Sequence, residues 1–201
     1  FLFVSVASLA SITVLLPFLS QKYKDGAADD YANARKFLDQ VFTVLLVFLV
    51  VVSVLLFIIM PWLARLVAPG FGIEETKTLI MLSRIMLLQP IIIGISNMLS
   101  SVTQMFKKFL ITALSPVMYN LGIIIGIVWL YPNFGITGLA YGVIVGAVLH
   151  FIVQVPTLAS IGFIPRFTTQ IRFSELAAIV KTSIPRTLGL SMSTFTALIL
   201  T

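Results

Sequence analysis

The stretch "QVFTVLLVFLVVVSVLLFIIMPWLA" (residues 40–64) contains no charged side chain. A helix needs about 20 mostly apolar residues to cross the hydrocarbon of a bilayer, and this stretch meets that length. The whole chain is built in the same way. It is 59% hydrophobic and 10% charged, with mean hydropathy +1.11, whereas soluble domains carry roughly 25% charged residues. A water-exposed surface cannot be assembled from such a mixture, so the solvent around this chain is largely lipid.

Further uncharged or nearly uncharged runs lie on either side. They predict spans at about 1–21, 83–106, 109–130 and 139–161. The last two belong to one long apolar run, divided by the turn signal "YPNFGITG" (131–138). A sixth span is expected over 174–201, with Ser174 placed to cap a helix before Glu175. No strand pattern accompanies them. The expectation is an all-α polytopic membrane bundle. The chain starts without Met and both begins and ends inside apolar runs, so it reads as an internal piece of a longer protein. Residues 1–21 lack the basic n-region and cleavage site of a signal peptide. There are no cysteines, which excludes disulfide and thiol chemistry.

The net charge of +6 would suggest nucleic acid in a soluble protein, but in a membrane protein it reports basic cytoplasmic loops, and no nucleic-acid partner is expected. Lys22, Lys24, Arg35 and Lys36 lie in the 21–39 loop, and Lys107 and Lys108 lie between the third and fourth spans. Arg166 and Arg172 precede the sixth span, and Lys181 follows in its first turns. The opposite side has only Arg65, Lys77 and Arg84. Loops 21–39, 107–108 and 162–173 are therefore expected in the cytoplasm, and the first span runs inward. Within "IPRFTTQIRFSEL" (164–176), Phe167, Ile171 and Phe173 alternate with Arg and Thr. Residues 164–173 are expected to be a short interfacial piece on the cytoplasmic leaflet.

No nucleotide loop, metal cluster or nucleophile–base pair is visible, so no catalytic residue, metal or cofactor is expected. The single histidine, His150, stands between Leu149 and Phe151 with no Cys, Asp or Glu nearby. It fits either a hydrogen-bonded packing role or a place in a polar pathway. No Asp or Glu falls inside a span, so the fragment carries no carboxylate proton relay.

Polar faces on the membrane helices are the strongest signal. Gln89, Ser96, Asn97, Ser100, Ser101 and Gln104 recur at helical spacing in the third span, and Asn97, Ser100, Ser101 and Gln104 share one face. Amides in lipid are costly without a partner or water. Two readings follow: a water-filled cavity lined by Gln89, Asn97, Ser100 and Gln104, or hydrogen bonding between helices. Ser5, Ser8 and Ser11 give a weaker version in the first span. Gly122 and Gly126, and Gly138, Gly142 and Gly146, recur every four residues and are assigned to close helix packing. Pro17, Pro90, Pro116, Pro156 and Pro185 interrupt or flank spans, as at hinges and gates of transporters and in static membrane helices alike. Arg186, directly after Pro185, either snorkels to headgroups or faces the bundle interior and binds an anionic group such as a phosphate.

Several stretches in order resemble the MurJ/MviN family of lipid II flippases. They are "LLPFLSQKYKDG" (15–26), "LVAPGF" (66–71), "LSRIMLLQP" (82–90), "LSPVMYNLGIIIG" (114–126), "GLAYGVIVGAVLHFIVQVPTL" (138–158) and "IPRTLGLSMS" (184–193). The resemblance covers nearly the whole chain. It implies a MATE-like fold, with the six visible helices being the second to seventh of fourteen, in the N-terminal lobe. It also implies flipping of a lipid-linked peptidoglycan precursor across the bacterial cytoplasmic membrane by alternating access. The implied partners are a pyrophosphate-bearing lipid and membrane lipids, for a chain acting as a monomer with its coupling ion open. The family's arginine pair in the second helix falls here on Phe3 and Val4, and "ASLASIT" (7–13) lacks the expected glycine. Arg186 is expected to compensate for that loss. Export of polysaccharide-lipid units or drugs by the same fold, or a non-transporting scaffold, are the alternatives.

Overall fold

The structure is a computed structural model and describes residues 12–23 and 28–172. Its elements are α1 (Ile12–Lys22), α2 (Ala28–Val67), α3 (Ile73–Met86), α4 (Leu88–Met105), α5 (Phe109–Ile125), a π-helical turn (Gly126–Leu130), α6 (Tyr131–Phe134), α7 (Ile136–Ile152) and α8 (Val155–Ser160). Among the described residues there is no strand. Four helical units are long and apolar enough to cross a membrane: Asp29–Val67, Ile73–Met105, Phe109–Phe134 and Ile136–Ser160. They correspond to the expected second to fifth spans. The expected sixth span lies outside the described residues, and α1 is the described part of the first.

Helix α2 starts well before the uncharged run, at Ala28, so most of the stretch expected as a loop is helical. Asp29 and Asp30 occupy its first turn, where carboxylates complement the helix dipole. Ala34, Phe37, Leu38, Val41, Leu45 and Leu49 then form a stripe at helical spacing, and all are buried. Leu15 and Leu19 of α1, Met98, Leu99 and Val102 of α4, Leu158 of α8 and Phe163 complete this core. The charged residues Arg35, Lys36 and Asp39 sit on the other faces of the same turns. They end the uncharged run without ending the helix. Further along, α2 turns apolar all round, and Ile58 and Trp62 stand about two-thirds exposed, as lipid-facing side chains do.

Pro61 lies inside α2 and has no N–H, which leaves the Phe57 carbonyl without its normal donor. Arg84 of α3 supplies one: its Nε donates to that oxygen at 3.2 Å, and its guanidinium lies 4.3 Å from the Phe57 ring centre. The third span also begins earlier than expected, at Ile73 rather than 83. Gly72 caps α3, and Glu75 reaches back to accept the Gly72 N–H, so the loop residues Glu74 and Glu75 become its first turn. The α3–α4 break at Leu87 stands three residues before Pro90, whose missing N–H removes the donor for the Met86 carbonyl.

The "YPNFGITG" turn is tighter than its composition suggests. Helical structure continues through Tyr131–Phe134, and the reversal is made at Gly135, whose φ of +58° favours glycine. The two arms then pack as an antiparallel hairpin with its register set by glycine. A Cβ on Gly122 would strike the Gly146 backbone, one on Gly126 the Gly142 Cα, and one on Gly138 the Leu130 carbonyl. Small residues let these backbones touch.

After α8 the chain leaves the helix through Gly162, with φ +72°. Phe163 N–H bonds to the Leu158 carbonyl and Gly162 N–H to that of Ala159, the paired bonds of a glycine helix stop. Residues 163–172 form a non-helical strap over α2. Asp39 Oδ1 accepts from Arg166 N–H at 2.7 Å, Thr43 Oγ1 from Thr168 N–H at 3.0 Å, and Gln40 Oε1 from Arg172 N–H at 3.3 Å. The rings of Tyr23, Tyr31, Phe106 and Phe163 cluster beneath its start, with centroids 4.7–6.5 Å apart. Of the alternating apolar residues in the strap, Ile171 packs on the core and Phe167 is exposed. Phe173 lies outside the described residues.

Candidate functional site

Helix α4 carries polar residues on two neighbouring faces, and the structure treats them differently. Gln89, Ser96, Ser100 and Thr103 fall within one stripe, related by multiples of three, four and seven. That stripe meets α5, α7 and the start of α8. Gln89 Nε2 donates to the Tyr119 hydroxyl at 2.9 Å, and the Thr103 and Thr112 hydroxyls are 3.0 Å apart.

The centre of the stripe is a closed cluster. Pro156 follows the α7–α8 junction, and the backbone N–H of Gln154 bonds to Phe151 three residues back rather than to His150 four back. The His150 carbonyl is thereby left for side chains. Gln154 Nε2 donates to it at 3.0 Å and Ser96 Oγ at 3.2 Å. Gln154 Nε2 also donates to Ser96 Oγ at 2.6 Å, and Ser100 Oγ donates to Gln154 Oε1 at 3.0 Å. His150 Nδ1 lies 2.6 Å from Ser96 Oγ, and with the serine proton given to the carbonyl this contact is Nδ1–H donating to Oγ. All four side chains are buried, Ser96 and Gln154 completely. Among the described residues no buried side-chain N or O lacks a partner. In a membrane interior this arrangement locks α4 to the α7–α8 arm.

The other face is different. Asn97 and Gln104 are seven residues apart, about 100° around the helix from Ser96 and Thr103. Both are half-buried, and neither side chain bonds to another described residue, while Ser101 is buried and donates to the Asn97 carbonyl at 3.4 Å. Of the residues expected to line a cavity, Gln89 and Ser100 are thus engaged between helices, whereas Asn97 and Gln104 keep hydrogen-bonding capacity. Arg186, Phe3, Val4 and the serines of the first span lie outside the described residues. No group of three or more His, Cys, Asp or Glu among the described residues could hold a metal.

Two features escaped the sequence reading. Gln154 was the signal for the closed cluster, being the one amide within 139–161, four residues after the only histidine and two before a proline. The second is a polar cleft of about 280 Å³ beside the strap, lined by Lys22, Asn33, Lys36, Gln40, Thr168 and Arg172 among others. It is assembled from three separate segments, and no local spacing announces it.

An all-helical chain with several membrane-length apolar helices, bonded across their interfaces by uncharged polar side chains, is a polytopic helical membrane protein. Comparison with known proteins is more specific. The chain matches the family model described as "Lipid II flippase MurJ" over residues 2–201, and it belongs to that family. It is 29% identical over 162 residues to the lipid II flippase MurJ of Burkholderia cenocepacia, an alignment covering 79% of this chain and 30% of that protein. It is 36% identical over 78 residues to the probable lipid II flippase MurJ of Borreliella burgdorferi, covering 39% and 15%. The corresponding Buchnera aphidicola protein is 29% identical over 161 residues, covering 78% and 30%. The chain therefore spans less than a third of the length of these relatives. It is a multi-pass inner-membrane protein of a flippase family.

Proposed function

We propose that this chain is part of a flippase that moves a lipid-linked peptidoglycan precursor, lipid II, across the cytoplasmic membrane by alternating access. Membership of the family along almost the whole chain is the observation that supports this reading. Asn97 and Gln104 contribute to the polar path, because they are the α4 amides that the neighbouring described helices leave unbonded. Arg186 meets the anionic pyrophosphate of the substrate, in place of the arginines missing at Phe3 and Val4. The protein works as a monomer within a MATE-like fold of fourteen helices, and the ends of α1 and α4 and the strap face the cytoplasm, as their lysines and arginines favour.

Rescue of cell-wall synthesis in cells depleted of their own flippase tests the activity, using the full-length protein. The intact protein is expected to restore growth. Asn97→Leu/Gln104→Leu and Arg186→Ala are each expected to abolish rescue while the protein stays in the membrane at normal level. Rescue by the Asn97/Gln104 double variant would remove these residues from the path, and rescue by Arg186→Ala would remove the arginine from substrate binding.

A further inference from the structure

The strap is fixed firmly at its start. Phe163 is fully buried, and its ring packs against Tyr23, Tyr31 and Phe106 with centroids 6.4, 4.7 and 5.0 Å away. The Tyr31 hydroxyl donates to the Ile161 carbonyl at 2.9 Å, and Gly162 leaves room for it, since a Cβ there would strike the Tyr31 oxygen. The backbone bonds of Gly162 and Phe163 to Ala159 and Leu158 tie the same point to α8.

Beyond Phe163 the attachment changes in kind. Ile171 packs on the core, while Ile164 and Phe167 are exposed. The ties to α2 are hydrogen bonds from the N–H groups of Arg166, Thr168 and Arg172 to Asp39, Thr43 and Gln40. Every donor is backbone and every acceptor is a side chain, and the acceptors fall within about one turn of α2. The Thr43 hydroxyl gives its proton to the Asp39 carbonyl at 2.8 Å, so its oxygen faces the strap as an acceptor. The strap also bonds to itself. Gln170 N–H donates to Thr168 Oγ1 at 3.2 Å and Ile171 N–H to the Thr169 carbonyl at 3.1 Å. These bonds do not involve α2 and survive its departure.

A segment with little buried apolar surface, exposed hydrogen bonds and one firmly fixed end opens at lower free energy than the core beside it. We propose that the strap is a releasable latch: residues 164–172 peel from α2 as one unit about a pivot at Phe163, and α2 recaptures them through Asp39, Gln40 and Thr43. Released, this length of chain reaches at most about 30 Å from the pivot. The latch therefore sets how far the chain beyond residue 172 can move from α2. It is a property of the fold and does not depend on the flipping reading.

The test is hydrogen exchange of the full-length protein in neutral-detergent micelles, read by mass spectrometry with fragmentation to single residues. In the wild type the N–H groups of Arg166, Thr168 and Arg172 are expected to exchange at one common opening, about tenfold or more faster than those of Gly162 and Phe163. Thr43→Val keeps the shape of the side chain and removes the acceptor. It is expected to speed exchange about fivefold at all three strap positions, and to leave Gly162 and Phe163 unchanged. Gln40→Met, which removes a different acceptor, is expected to give the same pattern. Faster exchange confined to the residue whose own acceptor was removed overturns the single unit. Equal acceleration at Phe163 overturns the pivot. A wild-type strap that exchanges as fast as an unstructured peptide, or as slowly as Phe163, overturns the latch.

Discussion

Gln154→Met tests the closed cluster most directly. Methionine matches the length of glutamine and keeps the space filled while removing every side-chain hydrogen bond. Three are lost: the donations to Ser96 Oγ and the His150 carbonyl, and the acceptance from Ser100. Hydrogen bonds between membrane helices average about 0.6 kcal/mol, so the direct loss is about 2 kcal/mol. The cost should not run much higher, because the neighbours can re-bond. Ser96 still donates toward the His150 carbonyl, and the Ser100 hydroxyl can turn to the carbonyl four residues back. The assay is equilibrium unfolding of the full-length protein in mixed micelles, titrated with denaturing detergent. Ser96→Ala supplies the cross-check. Since Ser96 and Gln154 share a bond, the double variant should cost at least about 0.5 kcal/mol less than the sum of the singles. A Gln154→Met protein within about 0.5 kcal/mol of wild type, or singles that add, would refute the cluster as the lock between α4 and the α7–α8 arm.

Two further outcomes follow from backbone geometry. Gly142→Ala places a methyl group against the Gly126 Cα, with no flexible side chain to give way, and should cost about 1–3 kcal/mol in thermal or detergent unfolding, whereas Gly70→Ala, with open space around it, should be close to neutral. Arg84→Met should cost about 1 kcal/mol by removing the donor to the Phe57 carbonyl, and clearly less in a Pro61→Ala background, where residue 61 supplies its own N–H; an equal cost in both backgrounds would show that the arginine acts otherwise.

Much of the fold was legible in the sequence because lipid imposes one rule, length of uncharged run, on each crossing. The four membrane-length helices fall where those runs lie. The helix ends were less legible. Charge marks where a chain meets the headgroups, but a helix can continue past that level, as α2 does from Ala28 and α3 from Ile73. The apolar stripe through Ala34, Phe37 and Leu38 carried that information on one face while Arg35, Lys36 and Asp39 masked it on the others. The glycine spacing gave the α5–α7 contact, because only backbone approach requires glycine every fourth residue. The polar residues of α4 were legible as a group, but their division was not. Whether a serine or amide meets a partner or water depends on the helix opposite, and the His150 carbonyl is left for side chains only through the helix break before Pro156.

That division has a mechanical consequence. The proposed alternating access requires segments that move as units and a polar surface along which a substrate passes, and one helix can serve both needs only if its faces are separated. On α4 the Ser96, Ser100 and Thr103 hydroxyls are bonded to partners on α5, α7 and at the start of α8, so this side resists sliding. Asn97 and Gln104, a quarter-turn away, lack such bonds to the described helices and can exchange partners at low cost. A polar stripe that is fully paired within the protein marks the inside of a rigid unit, and an adjacent unpaired one marks the surface that the unit presents.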